Sequence, residues 1–211
     1  MYGKANGIKA VFFDLGKVIL RFTHDDIVTR LLSRARPEDR IPGELFKYLF
    51  DAEDGLCNMY DEGTVSSEGF YEAINGRFPL GVDYEGFVPL WNDIFTENTD
   101  VSAIIRQVRA RRPVYLLSNV NDLHWEFCKA RFPVLSEMDG WVLSYEVKAK
   151  KPNPEIYAAA LRLAGAKPGE TVFIDDLAEN TASASRAGIK GITFHGAEAL
   201  LAELKAIGLV D

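Results

Sequence analysis

The sequence predicts an α/β protein, a doubly wound, mostly parallel sheet with helices on both faces. Three observations predict it. Short continuous apolar runs recur at 9–14, 114–117 and 171–174, as expected of strands buried on both faces. Helical periodicity separates them: Val101, Ile104, Ile105 and Val108 fall at i, i+3, i+4 and i+7. Each run ends in polar residues, at Asp14, at Ser118-Asn119 and at Asp175-Asp176. In open parallel sheets ligands bind just outside the carboxyl ends of the strands, so these are the residues to read.

Taken in order, residues 9–14 form the first buried strand. From 25 to 98 the pattern turns helical, broken by Pro37, Pro42, Gly55, Gly63, Gly69, Pro79 and Gly81, with no strong strand run. This block reads as an insertion after the first strand. A helix then carries the Val101 stripe, Pro113 ends it, and strands are expected at 114–117 and 141–143. Asn153 caps a helix whose first turn holds Pro154. The strand at 171–174 is followed by a helix to Ala187, with Gly188 as its stop. A short strand at 192–194 and a helix at 197–206 complete the pattern. The expected division is an α/β core of 1–22 and 100–211, with 23–99 as a helical unit.

Composition bounds the function. The chain has 211 residues, 47% apolar and 26% charged, with a formal charge of −7. That balance suits a soluble globular protein and argues against non-specific nucleic-acid binding. Arg109, Arg111 and Arg112 cluster at an expected helix end, where cations suit the dipole. Cys57 and Cys128 form no CxxC pair, which points to a reducing compartment. The longest apolar stretch, 8–20, is too short to span a membrane and contains Asp14. With no signal-peptide pattern, a cytoplasmic protein is expected, without nucleic-acid or membrane partners, as a monomer or homodimer.

Four motifs stand in order along the chain. They are Asp14-Leu15-Gly16-Lys17-Val18 after the first strand, Leu116-Leu117-Ser118-Asn119, Lys151-Pro152-Asn153-Pro154, and Phe173-Ile174-Asp175-Asp176. Together they resemble the haloacid dehalogenase-like (HAD) superfamily, whose members are mostly phosphatases, over nearly the whole chain. Within it they look like the branch that contains bacterial glucose-1-phosphate phosphatases, although Lys17 stands where that branch has Asn. The resemblance implies a Rossmann-like core with a small helical cap at 23–99. It implies Asp14 as the nucleophile that forms an aspartyl-phosphate. It implies Mg²⁺, held by the Asp14 and Asp176 side chains and the Gly16 carbonyl, with Asp175 orienting metal-bound water. Ser118 and the Asn119 backbone N–H would bind phosphoryl oxygens, Lys151 would neutralise the nucleophile and the transferring group, and backbone N–H groups around Leu15 and Gly16 would cradle the phosphate. The partner would be a small phosphorylated substrate.

Singly, each residue has an ordinary structural use: Asp14 or Asp175-Asp176 as caps, Ser118-Asn119 as a turn, Lys151 on a solvated face beside Lys148 and Lys150. Their order and spacing are what those uses leave unexplained. Gly16 departs from the family pattern, which has a second Asp there for acid–base work worth about 10²–10⁴-fold. Three readings follow. The first is a phosphatase for esters with good leaving groups, such as a sugar 1-phosphate, an aryl phosphate or an acyl phosphate. The second is a binding protein that turns over little. The third is a metal-independent dehalogenase, against which Asp175-Asp176 weighs. His24 is a candidate replacement acid, and the blander expectation is a hinge residue with Thr23 or Asp25 capping the next helix. Asp51, Glu53, Asn58 and Tyr60 are candidate sugar contacts. Phe87, Trp91 and Phe95, four apart, are expected at the junction of the helical unit with the core.

Overall fold

The apolar run after Lys9 becomes β1 (Ala10–Phe13), buried along its whole length, in a computed structural model that describes residues 7–211. Residues 1–6 of the expected core unit lie outside the described residues. After a tight turn comes a two-residue strand, β2 (Leu20–Arg21), and then five helices: α1 (His24–Leu31), α2 (Pro42–Phe50), α3 (Leu56–Asp61), α4 (Ser67–Arg77) and α5 (Tyr84–Asn92). Thr23, Ser66 and Asp83 cap α1, α4 and α5, each side chain accepting from a backbone N–H three residues on. The chain returns through β3 (Thr96–Glu97), which pairs antiparallel with β2, so the helical block leaves and re-enters the core along one two-stranded stem.

The rest alternates helix and strand: α6 (Thr99–Arg109), β4 (Val114–Ser118), α7 (Asp122–Arg131), α8 (Pro133–Ser136), β5 (Gly140–Leu143), α9 (Ser144–Val147), α10 (Pro154–Ala164), β6 (Thr171–Asp175), α11 (Ala178–Arg186), β7 (Lys190–Thr193) and α12 (Ala197–Ala206). The five long strands form one parallel sheet in the order β5-β4-β1-β6-β7. Strand β1 is central, and the winding direction reverses beside it. Phe13 stands opposite Leu116 on one side and Ile174 on the other. One step further along, Asp14, Leu117 and Asp175 meet at the carboxyl ends of three adjacent strands. That is the switch point at which such sheets bind ligands.

Alternation along the strands builds two cores. Val11 and Phe13, with Leu116, Val172 and Ile174, face the layer of α6 and α12. Ala10 and Phe12, with Leu117 and Phe173, face α10 and α11. The helical block has its own cluster, in which Ile27, Leu31, Leu49, Phe70, Phe87 and Trp91 are buried.

The expected elements are present, with shifted ends. Strand β7 begins at Lys190, two residues before the apolar run, because Gly191 lets α11 cross closely; a Cβ there would collide with the Thr181 carbonyl. Helices α7 and α8 and the β2–β3 stem have no counterpart in the sequence reading. Helix α7 buries only His124, Trp125 and Cys128 and shows no clean apolar stripe. Of the arginine cluster, only Arg109 lies in α6: Arg111 pairs with Asp211, and Arg112 donates to the Ile8 carbonyl. Among the described residues, no helix is long and apolar enough to cross a membrane.

Candidate active site

Asp14 is the first residue past β1, and little of it reaches solvent. Burial lifts its carboxyl to about 7; Lys151 works against that rise and Asp175 adds to it. Lys151 arrives from the loop before α10. Its ammonium lies 2.7 Å from Asp14 Oδ1 and 2.6 Å from Asp175 Oδ2, and donates to the Leu117 carbonyl at 3.1 Å. Burial pulls the Lys151 amine down, and the two carboxylates more than reverse that, so it stays protonated. The solvated-lysine reading therefore does not hold.

Two neighbours hold this pair in place. Asn119 clamps the Lys151 backbone: its Nδ2 donates to the Lys151 carbonyl at 3.0 Å, and its Oδ1 accepts from the Lys151 N–H at 2.7 Å. Asp175 is fully buried, and both its oxygens have protein donors: Leu177 N–H at 2.8 Å, Asn180 Nδ2 at 3.0 and 3.1 Å, and Lys151. Asp176 is half-buried, and its carboxyl is raised by burial and then by Asp175.

The donor set fits a hard divalent cation. Asp14, Asp175 and Asp176 each present a carboxylate oxygen, and these lie within 4.8 Å of one another. When all are ionised, three carboxylates face one ammonium and two negative charges stay uncompensated. A buried carboxylate lifted as far as Asp14 ionises at neutral pH when more positive charge than Lys151 is near. All-oxygen donors are what Mg²⁺ prefers.

Asp14, Leu15, Gly16, Ser118, Asn119, Lys151 and Asp176 all line one cavity of about 520 Å³ at the carboxyl ends of the strands. Asp175 stands behind it. The helical block closes the other side with His24, Phe50, Asp51, Asn58 and Asp61, and the core adds Asn121 and Lys150. Lys150 donates to Asn58 Oδ1. Burial raises the Asp61 carboxyl to about 6 while Asn121 Nδ2 donates to it at 3.1 Å.

Several expectations need correction. Tyr60 is buried inside the helical block, where its hydroxyl donates to Ser67 Oγ, and Glu53 is exposed away from the cavity; neither contacts ligand space. Phe87 packs among Phe70, Tyr71 and Trp91 in the block's interior instead of at the junction. Trp91 does sit at the junction, stacked 4.6 Å from His124 of α7, and Phe95 meets the same imidazole edge-on. Thr23 caps α1, as one reading of that turn expects, and His24 begins the helix while also lining the cavity, its ring 4.2 Å from Phe50. Burial and then Lys17 push its pKa down.

Asn121, His124, Asp61 and Phe22 carry no motif signal, although Asn121 can be read as the cap of α7, accepting from His124 N–H. Asn121 also joins Asp61, Trp91 and His124 across the junction. His124 Nε2 lies 3.0 Å from the Trp91 carbonyl; taken as donor there, it is a neutral imidazole whose Nδ1 accepts from Asn121.

A D-ribitol-5-phosphate phosphatase from Bacteroides thetaiotaomicron is 28% identical over 181 residues, covering 82% of this chain and 85% of that protein. A sesquiterpene phosphatase from Aspergillus oryzae is 21% identical over 94% of this chain and 96% of its own length. The HAD family enzyme bt-2542 from Bacteroides thetaiotaomicron, in complex with magnesium and inorganic phosphate, superposes with a TM-score of 0.77 at 29% identity, covering 89% of this chain and 94% of that one. An L-2-haloacid dehalogenase from Xanthobacter autotrophicus shares the fold, with a TM-score of 0.65 at 17% identity over 97% of this chain and 85% of its own. The profile of the haloacid dehalogenase-like hydrolases matches residues 8–188, and the chain belongs to that family.

Proposed function

We propose that the chain is a Mg²⁺-dependent phosphatase that hydrolyses a small phosphorylated metabolite through an aspartyl-phosphate on Asp14. The observation that carries this is the buried Asp14–Lys151–Asp175 arrangement beside Asp176 at the switch point of the sheet. The relatives that are phosphatases, and the magnesium and phosphate bound by bt-2542, support it.

The residues divide the work. An Asp14 carboxylate oxygen forms the bond to phosphorus as the ester oxygen departs, and water then cleaves the aspartyl-phosphate. Lys151 sits 2.7 Å from the attacking oxygen and neutralises charge there, held by Asp175 and by the Asn119 clamp. The Ser118 hydroxyl and the backbone N–H groups of Leu15, Gly16 and Asn119 bind phosphoryl oxygens. Asp14, Asp176 and the Gly16 carbonyl would hold Mg²⁺, with Asp175 ordering its surroundings; the ion supplies charge neutralisation between carboxylate and phosphate. Residues 23–99 act as a cap that excludes water and selects substrate through its cavity-facing residues.

Gly16 offers no acid to the leaving oxygen. The substrates that fit are those whose leaving oxygen needs little help from an acid: a sugar 1-phosphate, an acyl phosphate or an aryl phosphate. Phosphate release by metal-stripped protein, with and without Mg²⁺ and with Asp14→Asn as blank, tests the reading. Mg²⁺-dependent release from acetyl phosphate that vanishes in Asp14→Asn is the expected result. Release that ignores Mg²⁺, or that survives Asp14→Asn, would refute it.

A further inference from the structure

We infer that the leaving group of the natural substrate is aromatic, an aryl phosphate, and that Phe22 is the residue that selects it; the inference rests on the phosphatase reading above. The argument starts at Gly16. A Cβ built there would lie 3.0 Å from Phe22 Cε1 and 3.6 Å from Cζ. The ring of Phe22 thus fills the space into which any side chain at position 16 would project. The glycine therefore does two things at once: it removes a proton donor, and it admits an aromatic face two residues from the nucleophile.

The face is extended. Phe22 meets Phe95 edge-on at 5.4 Å and His24 at 5.5 Å, and His24 stacks on Phe50 at 4.2 Å. All four rings line the cavity that holds Asp14. The row continues to Phe46, 5.3 Å from Phe50 and exposed at the surface. Flat, polarisable surfaces of this kind pair with aromatic rings edge-to-face or offset-stacked. Asn58 and Asp61, on the helical block, can take polar substituents of the ring.

The chemistry agrees with the geometry. A phenol ionises near pH 10, far below a simple alcohol, so a phenolate departs without an acid. In the step, an Asp14 oxygen–phosphorus bond forms and the phosphorus–aryl-oxygen bond breaks. The phenolate leaves with the electron pair and takes its proton from water. A second water then releases inorganic phosphate and restores the carboxylate.

The test measures kcat and KM of the full chain with Mg²⁺ on 1-naphthyl phosphate, glucose 1-phosphate, glycerol phosphate and acetyl phosphate. The naphthyl ester is expected to have the highest kcat/KM of the three esters. Phe22→Leu, which keeps bulk but loses the ring, should cut the naphthyl-to-acetyl ratio of kcat/KM about 3–10-fold, mostly through KM, the scale of an aromatic pair. In the double variant Gly16→Asp/Phe22→Ala the preference should move toward glycerol phosphate. A wild type that favours glucose 1-phosphate, or a Phe22→Leu ratio that does not move, overturns the inference and leaves the phosphatase standing. Failure on acetyl phosphate as well would instead remove the phosphatase reading and this inference with it.

Discussion

Lys151 holds one positive charge between two carboxylates in a site that water scarcely reaches. Removing one partner of such a buried cluster leaves uncompensated charge. Lys151→Ala should therefore cost about 3–5 kcal/mol of stability in metal-free buffer, read by denaturant unfolding. Its phosphate release should fall at least about 10²-fold. A variant of unchanged stability would mean that the carboxylates are not both charged in the folded state. Gly16 carries a different prediction. On the proposed mechanism, the residue that would activate water against the aspartyl-phosphate is also the one missing, so its breakdown should be slower than its formation. Rapid mixing with an aryl phosphate should show a burst of about one equivalent of phenol before steady turnover; a linear trace from the first turnover would contradict this. Asp14 and Asp176 stood out as candidates in the sequence because they follow apolar runs, and Lys151 because it comes just before the Asn153-Pro154 helix start. The Asn119 clamp, Asp61 and Phe22 were not, because what they touch comes from residues far along the chain.

At the scale of elements, helix α10 shows how local signals place the loop that carries Lys151. Asn153 caps it by accepting from Glu155 N–H at 3.0 Å, Pro154 opens it, and Ile156, Tyr157 and Ala160 seat it on the sheet just after Lys151. Asn153→Ala should cost about 1 kcal/mol of stability, seen as an earlier unfolding midpoint, with kcat close to wild type since the exposed side chain bonds to the α10 backbone and the substitution keeps the backbone N–H that donates to the Lys150 carbonyl. A large loss of kcat would mean that the cap also sets the position of the Lys151 ammonium. Strands β1, β4 and β6 were readable because parallel strands buried on both faces leave uninterrupted apolar runs. The β2–β3 stem was not, since two-residue strands have no periodicity. Helix α7 was obscured because its buried face mixes His124, Trp125 and Cys128, and the stacking of His124 on Trp91 exists only once the block folds over the core.

At the scale of the molecule, the helical block and the core are joined by the β2–β3 stem and by the contacts of Asn121 and His124 with Asp61 and Trp91. Burial lowers the His124 pKa to about 4 from its ordinary 6.5. The unfolded chain therefore takes up a proton that the folded chain refuses between those values, so the His124 contribution to stability falls as pH drops from about 6.5 to about 4, while the raised carboxyls of Asp14 and Asp61 act in the opposite sense. The difference corresponds to about 3 kcal/mol, measurable as ΔG of unfolding against pH. Relative to wild type, His124→Gln should gain stability as pH falls through that range; a difference in ΔG that does not change with pH would mean that His124 is not held neutral in the folded chain. The proposed Mg²⁺ site would act on the whole fold as well. Binding only the native state at a hundredfold excess over Kd adds about 2.7 kcal/mol, or a rise of about 5–10 °C in Tm for a chain of this size. Asp176→Asn should abolish most of that rise in a thermal melt.

The sequence by itself determined the α/β class, the strands at the centre of the sheet, the helical insertion and the four motif positions. Apolar runs, caps and chain order are local quantities written along the chain. Only the tertiary structure decided which oxygens share Lys151, that Asn119 grips its backbone, and that Tyr60 and Phe87 turn inward while Asp61 reaches the cavity. It also decided that Phe22 lies over Gly16. Those outcomes depend on the register of β4, β1 and β6 and on how the helical block folds back over them, and such long-range placements leave no periodic trace in the residues themselves.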